Sequence, residues 1–415
     1  MELLACGHVA NEGSFRMCLH LAVDEPEDVA RLYTGRAGDY HLLCEPCAKL
    51  DDPTSQLAVV CQGCTARADD EPIVYVTGQP EVRHRDRPVG GSFQEQPAEL
   101  RPVNHRCLAP LGDGWLVYTG KYLVRPGAES YRLKLPKGHE KDNAHGTPGP
   151  TLHTSPDGRF AAVAWDHGRY GAVVDLAAGG RVTLRLDRGS YRNYTTPFPF
   201  AFLSDGSLIA ATEWNRLDRF EAATGALLTP RDTEWRKGEE RPEHYLDYFH
   251  GRLTVNPAAT WLVDDGWVWA PSGIPLLVDL AAWRAGETYA AEQGRRLALR
   301  SYAWNQPVAW VTDRTVAIQR IGDDDIAMVD GVRLYDAPSG EPINTVFGPK
   351  GRMWAIDGRL AVAADAGLEF WDLIEGARVG VLPGFRPTAY NPRSRTFATL
   401  ENSVLRTFRV ALDPI

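Results

Sequence analysis

The chain has 415 residues, a formal charge of −9, and 44% hydrophobic against 24% charged residues. That hydrophobic share excludes a dominantly disordered chain, and the acidic balance argues against coating nucleic acid or anionic membrane by bulk electrostatics. No apolar run reaches the roughly 18 residues of a membrane-spanning helix, and the first residues lack the basic and apolar regions of a secretory leader. The expectation is a cytoplasmic, reducing setting without membrane partners, where paired thiols hold metal more often than they form disulfides.

Six of the seven cysteines fall in the first 64 residues. This sets residues 1–66 apart as a module. Cys44-Glu45-Pro46-Cys47 and Cys61-Gln62-Gly63-Cys64 are two C-x2-C knuckles, each able to aim two thiolates at one ion. Upstream, Cys6-Gly7-His8 and Cys18-Leu19-His20 each place a thiolate and an imidazole two residues apart. Cys6, His8, Cys18, His20, Cys44, Cys47, Cys61 and Cys64 thus supply the donors of two structural zinc ions, with His41 as a spare. Chain order leaves the pairing open. A sequential reading groups the two Cys-x-His pairs together and the two knuckles together. A crossed reading joins the first pair with the third and the second with the fourth. The module resembles a small zinc-ribbon or RING-like domain. The match ends where a RING finger needs a further cysteine after the Cys-Gly-His triplet, so a ubiquitin-ligase role gains no support. Four-donor sets point to structure, since a catalytic zinc keeps an open position. Residues 26–33 read as a short helix. The module has little core of its own, so metal is expected to supply much of its folding energy.

Residues 67–104 read as a linker rich in Pro, Gly, Arg and Glu. Its basic run, Arg83-His84-Arg85-Asp86-Arg87, reads as solvated. Residues 73–77, or the segment near Val103, are candidates for a strand that closes the following domain.

From 105 to 415 short apolar strands alternate with Gly, Asp and Pro turns, and helical periodicity is scarce. A phrase repeats: a turn, a buried strand, a second turn, and a strand ending in an acidic residue. It is clearest at Ser155-Pro156-Asp157-Gly158 with Val173-Val174-Asp175, and at Ser204-Asp205-Gly206 with Leu217-Asp218. The turns fall near 113, 157, 205, 257, 313, 357 and 392. Their step of about 46 residues is that of a four-stranded propeller blade. The pattern resembles the WD40-like β-propeller family. Asp175, Asp279, Asp336 and Asp372 stand where that family places its Trp-Asp dipeptide, and Trp371-Asp372 keeps both letters. The resemblance implies a mainly β propeller fold, and the seven turn copies favour seven blades over six or eight. The family's Gly-His signature is missing from most copies. Small residues at 161–164, 210–211 and 361–364 read as inner strands, which leaves no inward catalytic set.

The long connections, 137–150, 187–199, 230–250 and 284–305, read as links from the outer strand of one blade to the inner strand of the next. With the loop at 321–330 they open on one face, the candidate binding surface. A helical insert within 283–297 is expected across it. Tyr191, Arg192, Tyr194, Trp235, Arg236, His244, Tyr245 and Trp304 are the candidate partner-binding residues, because aromatics and arginines dominate binding hot spots. Asp323-Asp324-Asp325 reads as a solvated acidic turn, and Cys107 as a structural thiol.

The leading reading is a non-enzymatic scaffold that binds a protein partner through this face. The alternative is an enzyme with a site at the channel mouth, built from His139, His145, His244 and Asp247. No catalytic motif such as H-E-x-x-H, G-x-S-x-G or Walker A is present. Nucleic-acid binding by the zinc module is disfavoured, since residues 1–64 hold four Lys or Arg against ten Asp or Glu.

Overall fold

The computed structural model describes residues 4–8, 14–23, 29–33, 40–69, 73–77, 82–98, 100–128, 130–136, 145–233, 235, 238–269, 271–322 and 328–411. It is mainly β. Among the described residues, one five-stranded sheet lies at the N-terminus and seven further sheets follow.

The N-terminal sheet contains β1 (Ser14–Cys18), β2 (Val29–Tyr33), β3 (Tyr40–Cys44), β4 (Leu57–Cys61) and β5 (Ile73–Thr77), in the order β4-β1-β3-β2-β5. Three strands turn directly into helices: β1 into α1 (Leu19–Val23), β3 into α2 (Glu45–Ala48) and β4 into α3 (Gln62–Asp69). The helix expected over 26–33 is a strand where it is described, over 29–33. Val29, Ala30 and Leu32 bury themselves in a small core with Met17, Leu21, Leu42, Leu43 and Val60. Sheet pairing on both edges of β2 overrides the short helical pattern. β5 pairs with β2 and therefore belongs to this module, not to the later sheets.

Each later sheet is a run of antiparallel strands, mostly four: 108–132, 149–187, 200–221, 249–301, 308–347, 352–383 and 389–410. All seven turns read from the sequence fall between the first and second strand of a sheet. Gly158 and Gly206 take φ of +74° and +82° there, a region that favours glycine. The acidic strand ends cap the next turn. Asp175 accepts from the Ala178 amide, Asp279 from the Ala282 amide, and Asp372 from the Ile374 and Glu375 amides.

Apolar clusters lie between successive sheets, one for each neighbouring pair. The second sheet shares Ala162, Val173 and Leu186 with Phe198, Phe200 and Leu208 of the third. The last shares Ala389, Ala398 and Leu405 with Leu108, Trp115 and Val117 of the first. Across that junction Asn391 Nδ2 donates to the carbonyls of Gly112 and Gly114, both at 3.0 Å.

The final sheet takes its outer strand from upstream. Gly91–Pro97 pairs antiparallel with Val404–Val410 along its whole length. The closing strand is thus neither 73–77 nor the segment near Val103. The basic run stays exposed but is anchored to a sheet edge. Arg83 and His84 pair with Ala377 and Arg378 at the edge of the sixth sheet, Arg85 reaches Glu375 at 2.8 Å, and Asp86 takes a two-pronged bond from Arg378.

The alanine-rich segments also move. Residues 161–164, 210–211 and 361–364 lie in the second strands of their sheets, packed on both faces. The first strands, which border a shared axial cleft, carry Thr151, His153, Arg252 and Arg352 instead.

Candidate metal centres and interaction face

Two donor clusters form in the N-terminal module. Cys6, His8, Cys61 and Cys64 make one, and Cys18, His20, Cys44 and Cys47 the other; within each, all donor atoms lie within 4.8 Å of one another. Both are Cys3His sets that could hold a metal ion. The pairing is nested: first pair with fourth, second with third. Neither the sequential nor the crossed grouping holds, and the strand directions explain why. β1 runs parallel to β3, so their C-terminal ends place Cys18 beside Cys44. β4 runs antiparallel to β1, with Ser14 opposite Cys61. Cys61 therefore sits at the far end of a five-residue strand, about 14 Å from Cys18 at roughly 3.4 Å per residue. The Ala5 amide bonds to the Val59 carbonyl, which brings Cys6 and His8 to that same far end.

Three of the four His–Cys separations fit a tetrahedral ion. Donors at about 2.3 Å (sulfur) and about 2.0–2.1 Å (imidazole) from a common centre stand about 3.5–3.8 Å apart. His8 Nδ1 is 3.6 Å from Cys61 Sγ and 3.5 Å from Cys64 Sγ. His20 Nδ1 is 3.7 Å from Cys44 Sγ and 3.2 Å from Cys47 Sγ. Backbone amides support the sulfurs: Cys44 N donates to Cys18 Sγ at 3.2 Å and Cys61 N to Cys6 Sγ at 3.4 Å. Four protein donors leave no position for substrate. His41 belongs to neither cluster. Cys107 is buried and donates to the Pro150 carbonyl, and burial pushes its thiol up to about 12, which makes it inert at neutral pH.

A second feature lies on the side where the sheet-to-sheet connections emerge. Five rings stack in a row: Tyr191, Phe249, Trp267, Trp304 and His145. Centroid separations along the row are 5.8, 4.3, 4.9 and 5.2 Å, with interplanar angles of 25° or less. Trp214 and Trp269 pack against the same row. Thr195 anchors it, accepting from Trp267 Nε1 on its hydroxyl and from Trp304 Nε1 and Asn305 Nδ2 on its carbonyl. Arg192 lies 5.1 Å from the Trp269 ring and bonds the Tyr194 hydroxyl. Tyr191 is 51% and Trp269 46% exposed, so the row surfaces as an aromatic patch carrying a cation.

Of the residues expected on this face, Tyr191, Arg192, Tyr194 and Trp304 come together. Trp235 and Tyr245 form a neighbouring group, with the Arg241 guanidinium about equally close to both rings, at 5.0 and 5.2 Å. His244 stacks on Tyr289 at 3.9 Å instead. Arg236 lies outside the described residues, as do His139 and Asp323-Asp324-Asp325. Trp214, Phe249, Trp267 and Trp269 escaped the sequence reading because they sit at strand ends and in hairpins that read as core. The one available signal was the spacing of Trp267 and Trp269.

The connection at 284–305 is corrected. A helix, Leu280–Ala285, follows the third strand of the fourth sheet, and the outer-strand segments are Arg295–Arg296 and Arg300–Ser301. Residues 280–294 therefore open on the opposite face. Arg284 reaches Asp205 at 2.8 Å and the Ala259 carbonyl, both in first-to-second-strand turns. Of the enzyme reading's residues, the three that are described, His145, His244 and Asp247, do not come together. His145 ends the aromatic row, His244 is on Tyr289, and Asp247 lies 3.9 Å from Arg241. Burial, then the Arg192 charge, pulls His145 below the ordinary imidazole range.

No protein-family profile matches the chain, and no curated protein matches it. In fold it is similar to a solved chain described as "Crystal Structure of Mitotic Checkpoint Complex". The TM-score is 0.50 at 11% identity, covering 83% of this chain and 100% of that one. At that identity the likeness speaks to the fold alone, β-rich and propeller-like. No helix among the described residues is long and apolar enough to cross a membrane.

Proposed function

We propose that this protein is a non-enzymatic scaffold: a closed seven-bladed propeller with an N-terminal module held by two zinc ions, binding a protein partner through the loop-side face. The exposed end of the aromatic row, Tyr191 and Trp269 with Arg192 between the loops, carries this reading. Half-exposed aromatics on a rigid stack, with a guanidinium beside them, match the composition of binding hot spots and lose little entropy on contact. The seven shared apolar clusters support closure of the ring. The Cys3His donor sets and their spacing support zinc. Tyr40 packs against Ile321, Val329 and Phe347 of the fifth sheet, which supports a module docked on the propeller.

The test is affinity capture with cross-linking, then binding measurements on the purified partner. Tyr191→Ala combined with Trp269→Ala should weaken binding by about 2 kcal/mol or more. Arg284→Ala, on the opposite face, should leave it unchanged. Equal affinity in both variants would remove the face from the proposal.

A further inference from the structure

We propose that the loop-side mouth of the axial cleft binds a doubly charged oxyanion of the phosphate class, held by Arg106, Arg252 and Arg352. The cleft measures about 400 Å³ and is bordered by the first strands or their leading residues, from the first, second, fourth, fifth, sixth and seventh sheets. The three arginines come from three different sheets and line one cleft, and two of them approach one carboxylate. Arg106 Nε lies 3.8 Å and Arg252 Nη2 3.9 Å from Asp166 Oδ2. Those separations are too long for hydrogen bonds, and Asp166 is already committed. Its Oδ2 accepts from Thr151 Oγ1 at 2.5 Å and its Oδ1 from the Phe198 amide at 3.0 Å.

The guanidinium donors are correspondingly under-used. Arg106 Nε is buried without a hydrogen-bond partner, and the Arg252 guanidinium makes no hydrogen bond among the described residues. Arg106 Nη2 donates to the Thr147 carbonyl and Arg352 Nη1 to the Thr388 carbonyl. The remaining titratable groups do not cancel the excess. Asp265 is buried and acted on by Arg300 first and Arg252 second, and the buried Asp264 is committed to His250 and the Gly251 amide. His105 and His153 are both held below the ordinary imidazole range, first by burial and then in part by these arginines, so neither adds charge near neutral pH. His153 Nε2 is buried and unpartnered, a further polar atom in the same cleft. Three guanidinium ions against the one Asp166 carboxylate leave two positive charges. A monocarboxylate would balance only one of them, whereas a phosphate dianion balances both and has enough acceptor oxygens for several forked donors.

This site shares no proposed binding side chain with the aromatic face, and its test is independent of any protein partner. Inorganic phosphate is titrated calorimetrically into the full-length protein at pH 7.5 and low ionic strength. Saturable one-site binding is expected. Arg252→Gln, at a position 40% exposed and so tolerant of change, should weaken it at least about tenfold. Arg352→Gln should do the same, and Arg192→Gln should have no effect. A phosphoserine peptide serves as a second probe. Tighter binding than phosphate identifies the natural source as a phosphorylated chain; equal or weaker binding identifies a free anion. Absence of saturable phosphate binding by the folded parent protein would overturn the proposal. So would an unchanged affinity in Arg252→Gln, with Arg252→Lys as the folded, charge-keeping control.

Discussion

Asn391 holds the junction between the last sheet and the first with its side chain alone. It donates to two carbonyls of the first sheet while its Oδ1 accepts from the Arg393 amide at 3.0 Å. Asn256 does the same between the fourth and fifth sheets, donating to the Asp313 carbonyl at 2.8 Å and accepting from the Thr260 and Trp261 amides. Both are buried, so removing the amide strands backbone groups that water cannot reach. Asn391→Ala should lower stability by about 1–3 kcal/mol in chemical denaturation, and Asn391→Asp should not restore it, because a carboxylate cannot donate. A second prediction concerns Asp265. Burial raises its carboxyl to about 7, although the Arg300 charge and the Gln306 amide work against the rise. A raised acid binds more protons folded than unfolded between about pH 4 and 7. Its contribution to stability is therefore greatest at the acid end of that window and falls as pH rises through it, by a few kcal/mol in order of magnitude. The stability of Asp265→Asn relative to the parent should accordingly rise from pH 4 to pH 8. A flat difference would mean that Arg300 keeps the acid ionised.

At the level of elements, the segment between the module and the later sheets is a strap. Arg83–His84 extends the edge of the sixth sheet, and Gly91–Pro97 completes the seventh. Without the second strand, Val404–Val410 would present a seven-residue open edge, a template for pairing with other chains. A chain starting at residue 82 should therefore express as a soluble, cooperatively unfolding propeller. A chain starting at residue 99 should aggregate. Light scattering of the two side by side decides the matter. The linker composition was legible in the sequence, but its role was not. Gly91–Pro97 reads Gly-Ser-Phe-Gln-Glu-Gln-Pro, with one large apolar residue, because an outermost strand has only one neighbour and a solvated surface. Phe93 is the exception, packing against Phe385 and Phe408.

For the whole molecule, metal and propeller should separate in experiment. The module's core is small and its cysteines form part of it, so its folding depends on the ions more than the ring's does. Elemental analysis should return two zinc ions per chain. Cys44→Ser and Cys61→Ser should each lose one, because the nested pairing puts them in different clusters; the sequential grouping would put both in a single cluster. Chelation should abolish a module transition in calorimetry and leave the ring's transition in place.

The sequence by itself determined the repeat and the donors. Turn positions recur because every sheet needs the same tight connection between its first two strands, and the eight Cys and His donors are visible because metal ligation tolerates few residue types. The pairing of those donors followed from strand direction, parallel for β1 and β3 and antiparallel for β1 and β4, which no local spacing encodes. The same limit hid the arginines of the axial cleft. Arg106, Arg252 and Arg352 are separated by about a hundred residues or more and belong to three sheets; only the packing of the sheets brings them to one cleft. The aromatic row is of the same kind, drawn from Tyr191, Phe249, Trp267, Trp304 and His145 on loops and strand ends of different sheets. Local pattern reports what a segment needs from water and from its neighbours in sequence. Which segments become neighbours in space is decided by packing between sheets.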